Sequence, residues 1–401
     1  MNIIDLKYIL PALLLIVSCH QLDAQDPDML SGEAVDAVSA QPLDSIKPSK
    51  RNIIERVIDY FDDTNKEHKD KAFDVSFIGG PHYSNEKKFG IGLLAAGVYS
   101  THRHDSLTPP SNISVYADVS TSGFYSVGVR GTTRFRRDML RVNYQAYFQS
   151  MPDKFWGIGY HNAVNDDNET AYKRLMSECK IDALLRVAPG LYLGPLMELT
   201  YIKGTVKDDE RLFLWQGEDM RTFSYAVGAK VSYDTRDNLT APHRGVNISL
   251  VQRYYGRWMK NDYPFSSTEL TAAFYTPVWR DCTIALQYHT LLTYGDTPWG
   301  MLASMGGSYT MRGYFEGRYR DKGEMDFTAE LRQRVYRRIG VVAWGGVGAV
   351  FPRLSCMSMR QLLPNYGVGF RWEFKKNVNV RFDVGFGKGQ KGFVFNINEA
   401  F

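Results

Sequence analysis

Apolar and polar positions alternate with period two along most of the chain after Lys71. The clearest stretches are 140–149, 223–233 and 378–387, in which aromatic and β-branched residues alternate with charged, amide, hydroxyl or small residues. Such alternation also fits a half-buried soluble sheet. However, these segments exceed the roughly 5–6 residues that are usual for strands, and the chain offers no helices to cover so large a sheet. Apolar residues facing lipid and polar residues facing a wet lumen explain both facts. The pattern predicts an all-β fold, a transmembrane β-barrel over residues 72–401.

The alternating segments can be counted from their first residues. Strands are predicted to begin near residues 72, 88, 112, 124, 138, 171, 190, 222, 245, 265, 282, 325, 339, 363, 377 and 391. This makes sixteen strands, and bacterial single-chain barrels have an even number. We therefore expect a 16-stranded antiparallel barrel.

The connections between predicted strands differ in length. If the first strand runs outward, the long connections are expected outside, and these are 100–111, 150–170, 204–221, 256–264, 295–324 and 351–362. The inner connections, such as 136–137 and 236–244, are mostly shorter. Long outer loops and short inner turns are the arrangement found in outer-membrane barrels.

The N-terminal residues indicate export. Lys7, an apolar stretch from Ile9 to Val17 and the sequence Leu22–Ala24 have the layout of a secretory signal peptide over residues 1–24. Cys19 leaves a second interpretation open, in which a lipoprotein signal leads to lipidation of this cysteine. Residues 25–71 are interpreted as a periplasmic leader. A short amphipathic helix is predicted near 52–62, with an apolar face formed by Ile53, Ile54, Val57, Ile58 and Phe61.

Composition and charge exclude several classes of protein. The longest uncharged apolar run, Tyr8–Cys19, is shorter than the roughly 20 residues that a membrane-spanning helix needs. A net charge of +4 without a basic block gives no indication of nucleic-acid binding. Cys179, Cys282 and Cys356 form no CxxC pair, so neither a metal centre nor a redox centre is expected from them. The 25 tyrosines suit the headgroup level of a membrane, which fits a barrel in contact with outer-membrane lipids.

The long connection before the twelfth strand carries the motif Gly306-Gly307-Ser308-Tyr309-Thr310-Met311-Arg312-Gly313-Tyr314. It resembles the Arg-Gly-aromatic motif in the sixth surface loop of the BamA/TamA-type assembly and translocation barrels, the bacterial surface antigen family. A second segment, Tyr233-Asp234-Thr235-Arg236-Asp237-Asn238 with Pro242 and Gly245, is similar to the family's turn between strands eight and nine. The resemblance covers about residues 72–401.

The resemblance implies a place for Arg312 in the lumen, where acidic residues of strands twelve and thirteen hold the family's loop arginine. On strand twelve, alternation places Asp326, Thr328, Glu330, Arg332 and Arg334 toward the lumen, so Glu330 is the expected partner. Strand thirteen departs from the family, because Gly345-Gly346-Val347-Gly348 stands where the acidic residue would lie. The second anchor is therefore expected to be missing or replaced.

The last strand ends with Phe401, and a terminal aromatic on an alternating strand resembles the signal by which bacterial barrels are recognised for insertion. The seam between the first and last strands is expected to be weakest at its outer end, where Gly79, Gly80, Pro81 and Gly389 weaken strand structure. Val75, Phe77, Phe395 and Ile397 are expected to support its middle. The resemblance implies that such a seam opens for clients.

The function expected from the resemblance is insertion or translocation of proteins or other clients at the outer membrane. The expected form is a short one without the family's periplasmic POTRA domains. Periplasmic or membrane protein partners would then supply that part, and the barrel-assembly machinery would insert the chain itself. The alternative is a passive pore or a structural barrel with a plugged lumen.

An enzymatic function is not expected. Gly306–Thr310 lacks the last glycine of a nucleophile elbow and has no strand-to-helix context. The histidines are interpreted as scattered over loops and turns, among them His82, His102, His104, His161, His243 and His289. His102 and His104 could bind a metal ion only weakly. No cofactor, metal or catalytic residue is predicted.

Overall fold

The structure is a computed structural model that describes residues 73–101, 108–135, 137–206, 220–375 and 377–401. The predicted signal peptide, the leader with its helix near 52–62, and Cys19 lie outside these ranges. Within them, no helix is long and apolar enough to cross a membrane.

Sixteen strands form a closed antiparallel barrel in which chain neighbours pair and the first strand meets the last. They are β1 (Phe73–Ser84), β2 (Lys88–Tyr99), β3 (Ser111–Ser120), β4 (Tyr125–Phe135), β5 (Leu140–Phe155), β6 (Thr170–Ala188), β7 (Leu191–Val206), β8 (Arg221–Asp234), β9 (Gly245–Tyr255), β10 (Phe265–Trp279), β11 (Cys282–Gly295), β14 (Gly323–Tyr336), β15 (Ile339–Phe351), β16 (Leu363–Lys375), β17 (Val378–Gly387) and β18 (Gln390–Ile397). The predicted 16-stranded antiparallel barrel is confirmed, and each strand begins within two residues of its predicted start.

Two further strands, β12 (Ala303–Met305) and β13 (Tyr319–Asp321), pair with each other in a separate two-stranded sheet that is not part of the barrel wall. They form a small hairpin within the connection from β11 to β14. Another connection, between β5 and β6, carries a one-turn helix, α1 (Tyr160–Ala163), and a 3-10 turn, Asp166–Asn168. Further 3-10 turns are Arg257–Met259, Trp299–Met301, Leu354–Cys356 and Met359–Gln361.

The two faces of β14 show how the alternation is used. Glu324, Asp326, Thr328 and Glu330 point into the barrel and are each at most 3% exposed, whereas Phe327 on the outer face is 41% exposed. An outer apolar face and an inner polar face are what a barrel in lipid requires. The polar inner face of β14 is therefore available to hold other parts of the chain inside the lumen.

The barrel has a loop end, where the connections after β1, β3, β5, β7, β9, β11, β15 and β17 lie, and a turn end with the remaining connections. The long connections 256–264, 296–322 and 352–362 lie at the loop end, as predicted. The connection between β2 and β3 was expected with them, and this is wrong. Strand direction reverses at each connection, so this one lies at the turn end with the short turns.

The turn between β8 and β9 contains the second family-like segment. The Asp237 carboxylate accepts hydrogen bonds from the backbone N–H of His243 (2.9 Å) and of Arg244 (3.1 Å). The Asn238 side chain accepts from the backbone N–H of Thr240 at 2.9 Å. These bonds fix a compact turn at the turn end of the barrel.

The seam between β1 and β18 is short. Tyr83 lies opposite Phe395, and this register places Pro81–Ser84 against Val394–Ile397. Because β18 ends at Ile397, the earlier part of β1 runs past the end of its neighbour. The seam was expected to be weakest at its outer, loop end and to be supported in its middle by Val75. Both expectations are wrong, because β1 meets β18 through Pro81–Ser84, at the loop end of β1.

Candidate functional site

The connection from β11 to β14, residues 296–322, folds back into the barrel. The β12–β13 hairpin forms its stem, and the Arg312-Gly313-Tyr314 motif lies between those two strands in sequence. Arg312 and Tyr314 are each only 1% exposed. We call residues 296–322 the lumen loop.

Arg312 is held by two carboxylates from separate strands. Its guanidinium donates to Glu330 of β14 and, at 2.7 Å, to Oδ2 of Asp383 of β17. The guanidinium also lies over the indole ring of Trp344 in β15, 3.7 Å from the ring centroid. The side-chain amide of Asn365 in β16 donates to the Arg312 carbonyl and accepts from the Trp344 indole N–H at 2.9 Å. Four consecutive barrel strands, β14 to β17, thus contact Arg312.

The second carboxylate comes from an unexpected strand. An acid was expected on the thirteenth barrel strand, β15, where glycines stand instead. The replacement is Asp383 on the fifteenth barrel strand, while β15 contributes the Trp344 ring. Alternation over 378–387 already places Asp383 among the polar positions of its strand. Spacing alone, however, does not show which strands of the barrel wall the loop contacts.

The two carboxylates belong to a larger buried ion network. Glu330 also accepts from Arg332 Nε at 2.7 Å, and Asp383 also accepts from Arg371 and from Arg381. Arg371 in turn donates to Glu399 at 2.8 Å. Charges held away from bulk water are costly unless they are paired. Each of the two carboxylates contacts at least two guanidinium groups, so the buried charges of this network are paired.

Gly313 permits close approach of the loop to the wall. It has φ = +116°, a conformation that L side chains rarely adopt, and a Cβ there would lie 2.7 Å from the Gly385 carbonyl carbon. In the reverse direction, a Cβ on Gly385 would lie 2.2 Å from the Arg312 carbonyl oxygen. A Cβ on Gly392 of β18 would lie 2.9 Å from the Gly313 Cα atom. Gly385 of β17 and Gly392 of β18 thus form a glycine floor beneath the motif.

Tyr314 fills the space left by another glycine. A Cβ on Gly387 would lie 2.3 Å from the Tyr314 ring. The phenol donates to the Pro364 carbonyl and accepts from the Lys388 backbone N–H, each at 2.7 Å. Burial raises the pKa of Tyr314 to about 12, although the bond from Lys388 opposes this shift. The phenol therefore stays protonated and can keep both bonds.

The lumen loop contacts both sides of the seam. The backbone N–H of Phe315 donates to Gln390 of β18 at 3.0 Å, and that of Glu316 donates to Glu86, next to β1, at 3.2 Å. Across the seam, the Asn85 side chain donates to the Lys391 carbonyl at 2.7 Å. Side-chain and loop contacts therefore supplement the short strand pairing near the loop end.

A second connection supports the lumen loop. Arg318 donates to the Ala163 carbonyl at 2.8 Å and to the Asp166 carboxylate at 2.6 Å, both in the connection between β5 and β6. The backbone N–H of Gly159 donates to the Arg320 carbonyl at 2.8 Å. The loop is thus fastened on opposite sides of the lumen.

Phe401 lies at the turn end, apart from the lumen-loop motif. Its ring centroid is 6.4 Å from that of Tyr275, and the Arg332 guanidinium lies 5.1 Å from it. Arg332 also donates to the main-chain oxygen of Phe401 at 2.8 Å. Arg332 therefore links Phe401 to Glu330 and hence to the Arg312 network.

The fold and the site together define a transmembrane β-barrel whose lumen is occupied by a fastened loop. The family model for the Omp85 superfamily domain matches residues 111–401. This chain belongs to the Omp85 superfamily. It is therefore an integral β-barrel of the outer membrane, and the resemblance to BamA/TamA-type barrels is confirmed.

Solved structures similar to the chain include outer-membrane barrels of two kinds. BamA from Haemophilus ducreyi lacking POTRA domains 1–3 has a TM-score of 0.57 at 11% identity, covering 82% of this chain and 70% of that one. CdiB from Escherichia coli has a TM-score of 0.55 at 12% identity, covering 83% of this chain and 64% of that one. CdiB from Acinetobacter baumannii has a TM-score of 0.53 at 11% identity, with coverages of 82% and 60%. A comparison with curated proteins finds no match.

Proposed function

We propose that this barrel inserts or translocates client proteins at the outer membrane and carries out no covalent chemistry of its own. The observation that carries the proposal is the Arg312 tether, which fastens the lumen loop to β14 and β17. Membership of the Omp85 superfamily supports the same function.

A fastened lumen loop argues against an open diffusion pore. The loop contacts the wall at β14–β18 and also the connection between β5 and β6, so it crosses the space that solutes would use. A passive pore or a structural barrel is therefore the less favoured alternative.

The short seam gives clients a route into the membrane. Opening a barrel in lipid leaves unsatisfied backbone groups that cost several kcal/mol each, so the cheapest opening is where fewest ladder bonds break. Between β17 and β18 the ladder runs from Val380 opposite Ile397 to Gly387 opposite Gln390, whereas β1 and β18 meet around Tyr83 and Phe395. We propose that clients pass between β1 and β18 into the membrane.

Partner proteins complete the proposal. The barrel-assembly machinery would insert the chain itself, and periplasmic or membrane proteins would bring clients to the barrel. The loop-anchoring roles of Arg312, Gly313, Tyr314 and Glu330, and the role of Phe401 as an insertion signal, are parts of the same proposal.

The test compares the outer-membrane and periplasmic proteomes of a deletion strain with those of strains complemented by the wild type or by Arg312→Ala. We expect one or more envelope proteins to be depleted from the outer membrane in the deletion strain and restored only by the wild type. Unchanged proteomes in the deletion strain would contradict the proposal. A large, steady conductance of the purified wild type in planar bilayers would favour the passive pore.

A further inference from the structure

A histidine and two carboxylates meet on the lumen face of β11 and β14. His289 lies directly opposite Asp326, and Glu324 lies two residues before Asp326 on the same face. His289 Nδ1 is 2.8 Å from Glu324 Oε1 and 3.4 Å from Asp326 Oδ2. His289 was expected in a loop or turn, but it lies within β11.

Several buried polar atoms of the cluster lie near opposite charges but form no aligned hydrogen bond. The side chains of Glu324 and Asp326 are 3% and 0% exposed. Neither oxygen of Asp326 forms an aligned hydrogen bond, and the same holds for Glu324 Oε2 and for His289 Nδ1. A buried carboxylate without hydrogen bonds is strongly unfavourable. These orphaned atoms point to a ligand that accepts lone pairs from both carboxylates and from the imidazole.

We propose that His289, Glu324 and Asp326 bind one divalent transition-metal ion, with zinc as the best match. Imidazole nitrogen and carboxylate oxygen are a common donor set for zinc, at about 2.0–2.2 Å from the ion. Such an ion needs its ligand atoms about 3–4 Å apart, and one ligand atom from each of these residues lies within 4.8 Å of the other two. Small side-chain rotations therefore complete the site.

Neighbouring residues are placed to orient the histidine. The other ring nitrogen, Nε2, faces Glu269 Oε1 of β10 at 3.7 Å, and Glu269 Oε2 is held by Arg253 at 2.9 Å. A carboxylate behind the second nitrogen of a metal-bound histidine fixes its tautomer and raises its basicity. Glu269 is therefore a positioning residue, and Nδ1 is the ligand atom.

The position of the site indicates what the metal does. β11 leads into the lumen loop and β14 receives it, so an ion between His289 and the two carboxylates joins the two strands at the base of the loop. The metal stabilises the pairing of β11 with β14, the two strands between which the lumen loop lies. This role is independent of which client the barrel handles.

The test measures zinc binding to the full barrel in detergent, purified without a histidine tag and treated with chelator. Isothermal titration with ZnCl₂ and metal analysis after dialysis should give one zinc ion per barrel, and Co²⁺ should give visible ligand-field bands. His289→Gln and Asp326→Asn should abolish this binding. Glu269→Gln should weaken it about 10–100-fold, the usual effect of losing an outer carboxylate.

His243→Gln is the matched control. His243 Nδ1 lies 3.9 Å from Asp237 Oδ2 in a half-exposed turn, and among the described residues these two are not joined by a second carboxylate to form a three-ligand group. This variant should bind zinc like the wild type. A readout on the wild type alone covers the case of misfolded variants: zinc should slow protease cleavage within residues 296–322 relative to chelator. No binding to the folded wild type, or undiminished stoichiometry in folded His289→Gln, would overturn the proposal and leave an imidazolium paired with carboxylates.

Discussion

At the scale of single residues, the position of the lumen loop depends on the two terminal nitrogens of the Arg312 guanidinium. Arg312 reaches Glu330 with one terminal nitrogen and Asp383 with the other. The sequence indicates the first contact, because alternation on the twelfth strand points Glu330 into the lumen. It does not indicate the contact with Asp383, because Asp383 is 71 residues away and the contact depends on which strands the loop approaches inside the lumen.

The first prediction concerns Arg312→Ala, which leaves Glu330 and Asp383 buried with fewer cationic partners. Breaking a buried ion pair costs about 3–5 kcal/mol, and water in the lumen should lower this figure. We expect a lower midpoint of thermal unfolding by circular dichroism and faster proteolysis of residues 296–322. Arg312→Lys should rescue little, because one ammonium cannot span both carboxylates.

Arg280→Ala is the control for Arg312→Ala. Its side chain is 97% exposed and 3.6 Å from Asp281, so its removal should change neither readout. If Arg312→Ala matched this control in both measurements, the anchoring role of Arg312 would be wrong.

At the scale of elements, period-two alternation was sufficient to predict the strands of the barrel wall. It located strands such as β9 and β10 at their first residues, because lipid on one side and a polar lumen on the other impose the same pattern throughout. It missed the β12–β13 hairpin, since strands of three residues show no usable period. It also missed the function of Gly385 and Gly387, whose lack of a side chain matters only when the loop is in place.

The second prediction tests the glycine floor under the motif. Gly385→Ala places a methyl group against the Arg312 carbonyl, so the loop must shift. Overpacking of this kind costs about 1–3 kcal/mol. We expect a lower unfolding midpoint and easier cleavage of the lumen loop.

Gly345→Ala in β15 is the matched control, since nothing lies within 4 Å of a Cβ at that position. It should be neutral or slightly stabilising, because alanine loses less conformational entropy on folding. Equal behaviour of the two variants would show that the loop does not rest on Gly385.

At the scale of the whole molecule, the sequence predicts a closed barrel but not the register of its seam. The pairing of Tyr83 with Phe395 leaves the earlier part of β1 beyond the end of β18, and no local sequence pattern encodes this offset. Cysteines at Ser76 and Asn396 would not form a disulfide across the seam, because this register places His82 opposite Asn396.

The third prediction separates two roles of Phe401. If its ring is an insertion signal, Phe401→Ala should lower the amount of heat-modifiable barrel in the outer membrane. Tyr275→Ala removes the aromatic contact of Phe401 inside the barrel but keeps the terminal ring, so the amount of inserted barrel should stay near the wild-type level. Equal losses in both variants would assign the effect to folding contacts instead.

A disulfide across the seam tests whether clients pass between β1 and β18. Tyr83→Cys and Phe395→Cys place two thiols on directly opposed residues, and the Cα–Cα separations of such pairs suit a disulfide. The background variant lacks Cys179, Cys282 and Cys356, the free cysteines of the described residues. Val115→Cys with Val129→Cys, an opposed pair on β3 and β4, is the control lock.

The readout is the outer-membrane level of the client proteins that the deletion strain loses, with oxidant and after reductant. We expect that the oxidised disulfide across the seam lowers the client levels, that reductant restores them, and that the control disulfide between β3 and β4 has no effect. Full client levels with the seam closed would contradict passage between β1 and β18.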